Sequence, residues 1–170
     1  MVAIIDTERL HLRPLSPADS PAIFRIMNDP ETMRFWDWPA MTDPETAAEA
    51  VAAQMDAAEA GMAIYWAACV GEGAIGICNL SEIDRHHRRA EVGFIFARNA
   101  WGNGYAQEAM KAIVNYAFGT LGLERLSARI HAKNEASRRL LTRLGFVYEG
   151  TLRGHVRRDG ARRDCQIYGC

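Results

Sequence analysis

Trp101-Gly102-Asn103-Gly104-Tyr105-Ala106 has the residue types and spacing of an anion site. It follows an apolar run, Val92 to Phe96, and opens an amphipathic stretch that continues to Leu121. A Gly-x-Gly bend between a strand and a helix leaves several backbone N–H groups unpaired and pointing outward, with the positive end of the helix dipole behind them. No Ser, Thr, Asp or Asn stands directly before the helix as a side-chain cap, so a phosphate could fill that role. A lone Gly-x-Gly is more often a plain turn. Two nucleotide patterns do not fit. A Walker A loop ends in Lys-Ser/Thr, where this chain has Gln107-Glu108, and a dinucleotide fingerprint needs a third glycine where Gln107 stands.

A second polar constellation lies downstream. Arg125 to His131 reads as a strand, and Asn134 to Leu144 as a helix that Asn134 caps and Gly145 terminates in the left-handed region. Ala136, Leu140 and Leu144 share one helix face, and Asn134, Ser137 and Leu141 share another.

The elements that must position these groups follow from periodicity and turn residues. Leu10 to Leu15 alternates like a strand, and Ser16-Pro17 opens a helix through about Met27. The segment 29–44 is a proline- and aromatic-rich connection, and Asp43-Pro44-Glu45 starts an alanine-rich helix ending at Gly61. Strands are expected at Met62–Val70, Ala74–Leu80 and Arg89–Ala97, the first two joined by a turn at Gly71-Glu72-Gly73. The helix 104–121 carries one broad apolar stripe. A final hairpin, 146–156 with 162–169, turns at Arg158-Asp159-Gly160 and reads as solvated, although Arg153 to Arg163 is strongly basic. This order implies an α+β fold, helices lying on both faces of a mixed, mostly antiparallel sheet.

With 170 residues, 49% of them hydrophobic, the chain can bury a substantial core as one domain. A formal charge of −1 argues against binding nucleic acid through a large positive field. The four cysteines, at 69, 78, 165 and 170, include no Cys-x-x-Cys pair and read as core filling in a reducing compartment. The longest apolar run, Met62 to Val70, spans nine residues, too few to cross a bilayer as a helix, and Val2 to Ile5 is too short for a signal peptide. A cytoplasmic protein without membrane contact is expected. His86 and His87 are adjacent and expected to point apart, so no metal site is expected there.

Together the motifs resemble the GNAT (GCN5-related N-acetyltransferase) superfamily over nearly the whole chain. That family's pyrophosphate loop reads Gln/Arg-x-x-Gly-x-Gly/Ala; Trp101 to Ala106 stands in its place, with Trp101 at the position of Gln or Arg. The RimJ/RimL-type subgroup, which acetylates ribosomal-protein N-termini, is similar in Trp-Gly-x-Gly-Tyr-Ala followed by Glu108-Ala109. Further similarities are Glu8 to Arg13, Ala90 to Phe94, Asn134-x-x-Ser137 with Leu144-Gly145-Phe146, Glu149 to Arg153, Asp159-Gly160 and Asp164.

The resemblance implies one N-acetyltransferase domain over 1–170 with the GNAT fold, strands 89–97 and 125–131 splaying apart to admit the pantetheine arm. It implies acetyl-CoA as cosubstrate, no metal, and an amine acceptor such as a ribosomal-protein N-terminus, in a monomer or homodimer. A small amine, amino acid or antibiotic acceptor, and a noncatalytic acyl-CoA-binding sensor, stay as alternatives.

By the same resemblance Glu91 is the general base, with Glu82, Asp84 and His87 as reserves in the same loop region; a strand carboxylate paired with Arg88 or Arg89 is the plainer reading. Main chain at Ile95, Phe96 and Ala97 lies along the acetyl group and pantetheine, and a free N–H near Phe96 would polarise the thioester. Trp101, Gly102, Asn103, Gly104, Tyr105 and Ala106 take the diphosphate, with Trp101 packing under the loop. Asn134 bonds to the cofactor arm and Ser137 protonates or stabilises the thiolate; otherwise they are a helix cap and an exposed serine. The family's frequent acidic tyrosine is replaced by Leu141. Phe35, Trp36, Asp37 and Trp38 line the acceptor pocket, holding an amine by cation–π contact and ion pairing, or else form an aromatic loop that only covers core.

Overall fold

In the computed structural model, which describes residues 2–170, eight strands form one sheet in the order β1-β2-β3-β4-β5-β6-β8-β7. They are β1 (Ile5–Asp6), β2 (His11–Pro14), β3 (Ile64–Val70), β4 (Gly73–Asp84), β5 (Arg89–Phe96), β6 (Arg125–His131), β7 (Val147–Arg158) and β8 (Ala161–Gly169). The helices are α1 (Ser20–Met27), α2 (Pro44–Glu59), α3 (Tyr105–Gly119) and α4 (Glu135–Arg143). Every strand pairing is antiparallel except β5 with β6.

Alternation of side chains divides the core in two. Trp66, Cys78, Leu80, Val92, Phe96, Leu126 and Ala128 point to one face and pack on Met110, Ile113 and Ala117 of α3 and Leu141 of α4. Ala67, Cys69, Ile77 and Ile95 point to the other, where Ile23 and Ile26 of α1 and Val51 of α2 cover them. Trp66 is fully buried, meets Tyr116 edge-on at 5.8 Å, and donates its indole N–H to the Ala3 carbonyl at 2.8 Å. Helix starts follow their local chemistry. Asp43 caps α2 by accepting from the Glu45 amide at 2.9 Å, with Pro44 in the first turn.

β5 and β6 pair only through Arg89 with Arg125, Ala90 with Leu126 and Glu91 with Ser127. Beyond that row β5 keeps to β4 as far as Phe96 opposite Gly76, while β6 follows β8 from Ser127 opposite Gly169 to His131 opposite Cys165. The two strands therefore diverge. A register shift in β4 between Ser81 and Asp84, with Glu82 at φ 49°, sits beside the point of divergence, and such bulges add twist.

The elements depart from expectation in a few places. The first helix begins as a 3-10 turn, Pro17–Asp19, before α1. β1 is an additional two-residue strand. β4 runs past the bulge to Asp84, so Glu82 and Asp84 are strand residues and not part of a loop. His86 and His87 do not point apart: in a turn, not a strand, their rings meet edge-on with centroids 4.6 Å apart. The last hairpin turns at Asp159 (φ 51°) and Gly160 (φ 75°), the left-handed pair that suits a two-residue turn.

Leu126 is fully buried in the row where β5 and β6 still pair. Leu126→Ala should destabilise the chain by about 2–5 kcal/mol, read from urea unfolding curves.

Candidate active site

Divergence of β5 and β6 leaves main-chain groups without a strand partner. Ala97 N–H donates to Ile75 O at 2.8 Å, which fixes the phase: at residues 97, 95, 93 and 91 the polar main chain faces β4. At Val92, Phe94 and Phe96 it faces the gap. The Phe96 carbonyl accepts from the Trp101 indole N–H at 2.9 Å, leaving the Phe96 N–H turned into the gap. Of the three main-chain positions expected along the acetyl group, only Phe96 thus presents its polar atoms there; Ile95 lends its side chain to the wall, and Ala97 is committed to β4.

A cleft of about 280 Å³ occupies the gap and is lined from both faces of the sheet. On one side are Ala106, Asn134, Ala136, Ser137 and Leu140, and on the other Glu31, Thr32, Phe35 and Trp36, with Phe94, Ile95, Phe96, Trp101 and Gly102 between. A neighbouring cavity of about 310 Å³ shares Trp101, Gly102 and Ala106, and adds Gly104, Tyr105, Arg139 and Arg143.

Between these cavities lies the glycine bend. Gly102 and Gly104 have φ of 76° and 79°, a region that only glycine enters freely. Gly104 is the N-cap residue of α3, and no side chain caps the first turn, so its amides stay available. The bend is held from outside. Arg9 donates from Nε to Glu108 Oε2 at 2.7 Å and from Nη1 to the Asn103 carbonyl at 2.9 Å, and its guanidinium lies 4.7 Å from the Tyr105 ring centroid. The Thr7 hydroxyl and the Arg9 amide both donate to Glu108 Oε1, at 2.7 and 2.8 Å. Asn103 turns its amide back onto the carbonyls of Ala100 and Trp101 and lines neither cavity. Trp101 does not pack under the loop; it is 47% exposed at the mouth.

On α4, Asn134 Oδ1 accepts from the Ser137 amide at 3.1 Å, so the cap is real and the side-chain nitrogen is left over. Both residues also line the cleft. Leu141 is fully buried in the core, which places no acid at that position.

Glu91 projects to the α1/α2 face, in one row with Ser81 and Ser127, just below the cleft and not in its wall. Among the described residues it makes no ion pair: Arg88 is taken by Glu124, and Arg89 by Asp84 at 3.5 Å. Burial pushes its carboxyl up, the negative charges of Glu82 and Asp37 push the same way, and Arg129 offsets part of this. Of the reserves, Asp84 accepts from the His87 amide at 2.9 Å, is held low, and sits away from the cleft, as does exposed His87.

The 29–44 segment supplies only part of the expected pocket. Phe35 and Trp36 line the cleft, but Asp37 is bound through both carboxylate oxygens to Arg129 of β6, at 2.8 and 3.3 Å, and Trp38 is 72% exposed. A cage of two tryptophans and a free carboxylate is not formed, because the guanidinium claims the carboxylate. Arg158, at the end of β7, donates to the carbonyls of Met33, Arg34 and Trp36, the last at 2.7 Å, and so pins the segment over the sheet. Arg129, Arg158, Arg139, Arg143 and Thr32 are site residues that sequence reasoning missed. The Arg139/Arg143 pair, one turn apart on α4, carried a local signal, as did Arg158, which stood out only as part of the basic stretch 153–163. Among the described residues no group of three or more His, Cys, Asp and Glu side chains is placed to hold a metal ion, and no helix is long and apolar enough to cross a membrane.

Comparison with known proteins agrees with this geometry. Residues 9–147 match the family model for the acetyltransferase (GNAT) domain. The chain is 32% identical over 170 residues to an uncharacterized N-acetyltransferase of Bacillus subtilis, YoaA, covering 99% of this chain and 96% of the relative. It is 31% identical over 143 residues to the spermidine N(1)-acetyltransferase of Escherichia coli, covering 83% and 74%. The ribosomal-protein alpha-N-acetyltransferase RimL, solved in complex with coenzyme A, superposes with a TM-score of 0.91 at 20% identity, covering 99% of this chain and 97% of RimL. A helix without a side-chain cap, a sheet parted at its single parallel pairing and a family match across most of the sequence converge: the chain belongs to the GNAT acetyltransferase family and is an N-acetyltransferase.

Proposed function

We propose that this enzyme takes acetyl from acetyl-CoA and passes it directly, in a ternary complex, to the N-terminal amine of a protein, the RimJ/RimL-type reaction. The cleft that runs through the sheet carries the reading, because donor and acceptor can enter it from opposite faces. In this reading the diphosphate rests on the main chain of Gly102, Gly104, Tyr105 and Ala106, with Arg139 and Arg143 as counter-charges. The pantetheine arm lies along Phe94 and Phe96 and is bonded by the Asn134 amide. The Phe96 N–H polarises the thioester carbonyl.

The acceptor nitrogen attacks the thioester carbon from the Phe35–Trp36 side, and the carbon–sulfur bond breaks. The thiolate is stabilised or protonated at the Ser137 hydroxyl. The ammonium proton passes to Glu91. Glu91 and Phe94 are three residues apart on one strand, about 10 Å, so the transfer runs through water. A small amine as acceptor is the second reading, favoured by the likeness to a spermidine acetyltransferase. Thiol release from acetyl-CoA against a panel of N-terminal peptides and small amines separates these two. Tight acetyl-CoA binding with no thiol released on any acceptor would instead support a sensor.

Glu91→Gln should lower turnover by about 10²–10⁴ while leaving acetyl-CoA affinity in place. The acid limb of kcat/KM in the parent should titrate above the ordinary glutamate range, and the variant should lack it. Unfolding temperatures give an independent check. A carboxyl whose folded pKa is raised contributes stability that is complete below the ordinary glutamate range and is lost as pH rises through the raised value. Glu91→Gln should therefore melt at the parent's temperature near pH 4 and above it near pH 8. Gly104→Val forces a branched side chain into φ 79° and should abolish acetyl-CoA binding in calorimetry, with the far-UV spectrum retained.

A further inference from the structure

Beside the acceptor end of the cleft lies a larger groove of about 620 Å³, on the same face of the sheet, and the Phe35 ring is the wall they share. Five cationic side chains line it against two carboxylates. Both carboxylates are already engaged: Asp159 with Arg158 at 3.3 Å and Arg163 at 2.9 Å, and Asp164 as acceptor from the Gly154 amide at 2.7 Å. Lys133 is exposed and has no ion-pair partner among the described residues, and Arg162 donates only to the Gly154 carbonyl at 2.9 Å. Arg34 is paired with Glu31 at 3.2 Å and Arg158 is committed to the carbonyls of the 29–44 segment, so the groove's unbalanced positive charge next to the point of acyl transfer is that of Lys133 and Arg162.

His131, at the groove's floor, reports that charge. Its Nδ1 accepts from the Lys133 amide at 3.1 Å, which puts the ring proton on Nε2, and Nε2 is buried without a partner. Burial holds the imidazole below its ordinary value, and Arg163, Lys133 and Arg158 push it the same way, with Asp164 opposing.

We propose that the groove binds an acidic side chain of the acceptor, so that this enzyme selects peptide amines followed by a carboxylate and rejects polycations. The inference rests on the acceptor entering past Phe35, as in the reading above. Because β5 and β6 run parallel from the Glu91–Ser127 row, His131 stands level with Ile95 of the cleft wall, across the widening gap, so the first few residues of an extended peptide whose amine sits in the cleft reach the groove past Phe35. A polyamine threading the same route would meet like charge.

The test uses the full chain, acetyl-CoA, three peptides that differ only in Glu, Gln or Lys at the third residue, and spermidine. The Glu peptide should exceed the Gln peptide by about 10-fold and the Lys peptide by about 100-fold in kcat/KM, chiefly through KM, with the gap narrowing as salt rises. Lys133→Glu should bring the Glu and Gln peptides level, and Lys133→Gln should fall between. Equal rates for the Glu and Gln peptides, or a preference for the Lys peptide or spermidine, would overturn the proposal. If no acceptor releases thiol, titrating the acetyl-CoA complex with the same peptides by tryptophan fluorescence decides it. Acid-selective binding there would uphold the groove and sink the transfer reading, and unselective binding or none would sink the groove.

Discussion

The site depends on β5 and β6 pairing for only one short row. A sheet interior normally satisfies every main-chain group, and an orphaned one costs about 1–3 kcal/mol. Here Phe94 and Phe96 keep polar edges in the middle of the molecule without a neighbouring strand. The fold tolerates this because each strand has a full antiparallel partner on its other side, β4 for β5 and β8 for β6. The opening is thus a seam between two well-paired half-sheets, and a ligand that supplies strand-like donors and acceptors completes it.

Around the seam, charge pairs act as braces more than as reactants. Arg9 and Glu108 hold the glycine bend, Arg129 and Asp37 hold the aromatic segment, and Arg13 grips Asp19, which also accepts from the Ser16 amide. Each is partly sheltered and supported by main-chain hydrogen bonds or several partners, the circumstances in which an ion pair orders structure beyond the weak surface average. Glu91 is the exception, a carboxylate set among other negative charges with no cation bonded to it.

Local chemistry in the sequence was enough to locate the elements that carry the site. Gly102 and Gly104 announced their own backbone conformation, Asn134 its cap, and Asp159-Gly160 its turn, because each depends on neighbours within a few residues. Long-range partnerships were not legible. Nothing near Asp37 signals Arg129, 92 residues away, and a free carboxylate was the natural expectation. The extension of β4 through a bulge at Glu82 depends on its pairing with β5, which periodicity alone does not encode. Leu141 does share a helix face with Ser137, one turn away, but that spacing alone does not show that Leu141 is fully buried while Ser137 stays partly open at the cleft.

Arg158 and the carbonyls it holds also order events during folding. Its partner Met33 precedes it by 125 residues. On a growing polypeptide, the aromatic wall beside the cleft therefore waits, unfastened, until the last hairpin has left the ribosome. Contacts that span so much sequence form late and slowly. The wall beside Phe35 is consequently fastened only once nearly the whole sequence is available to fold.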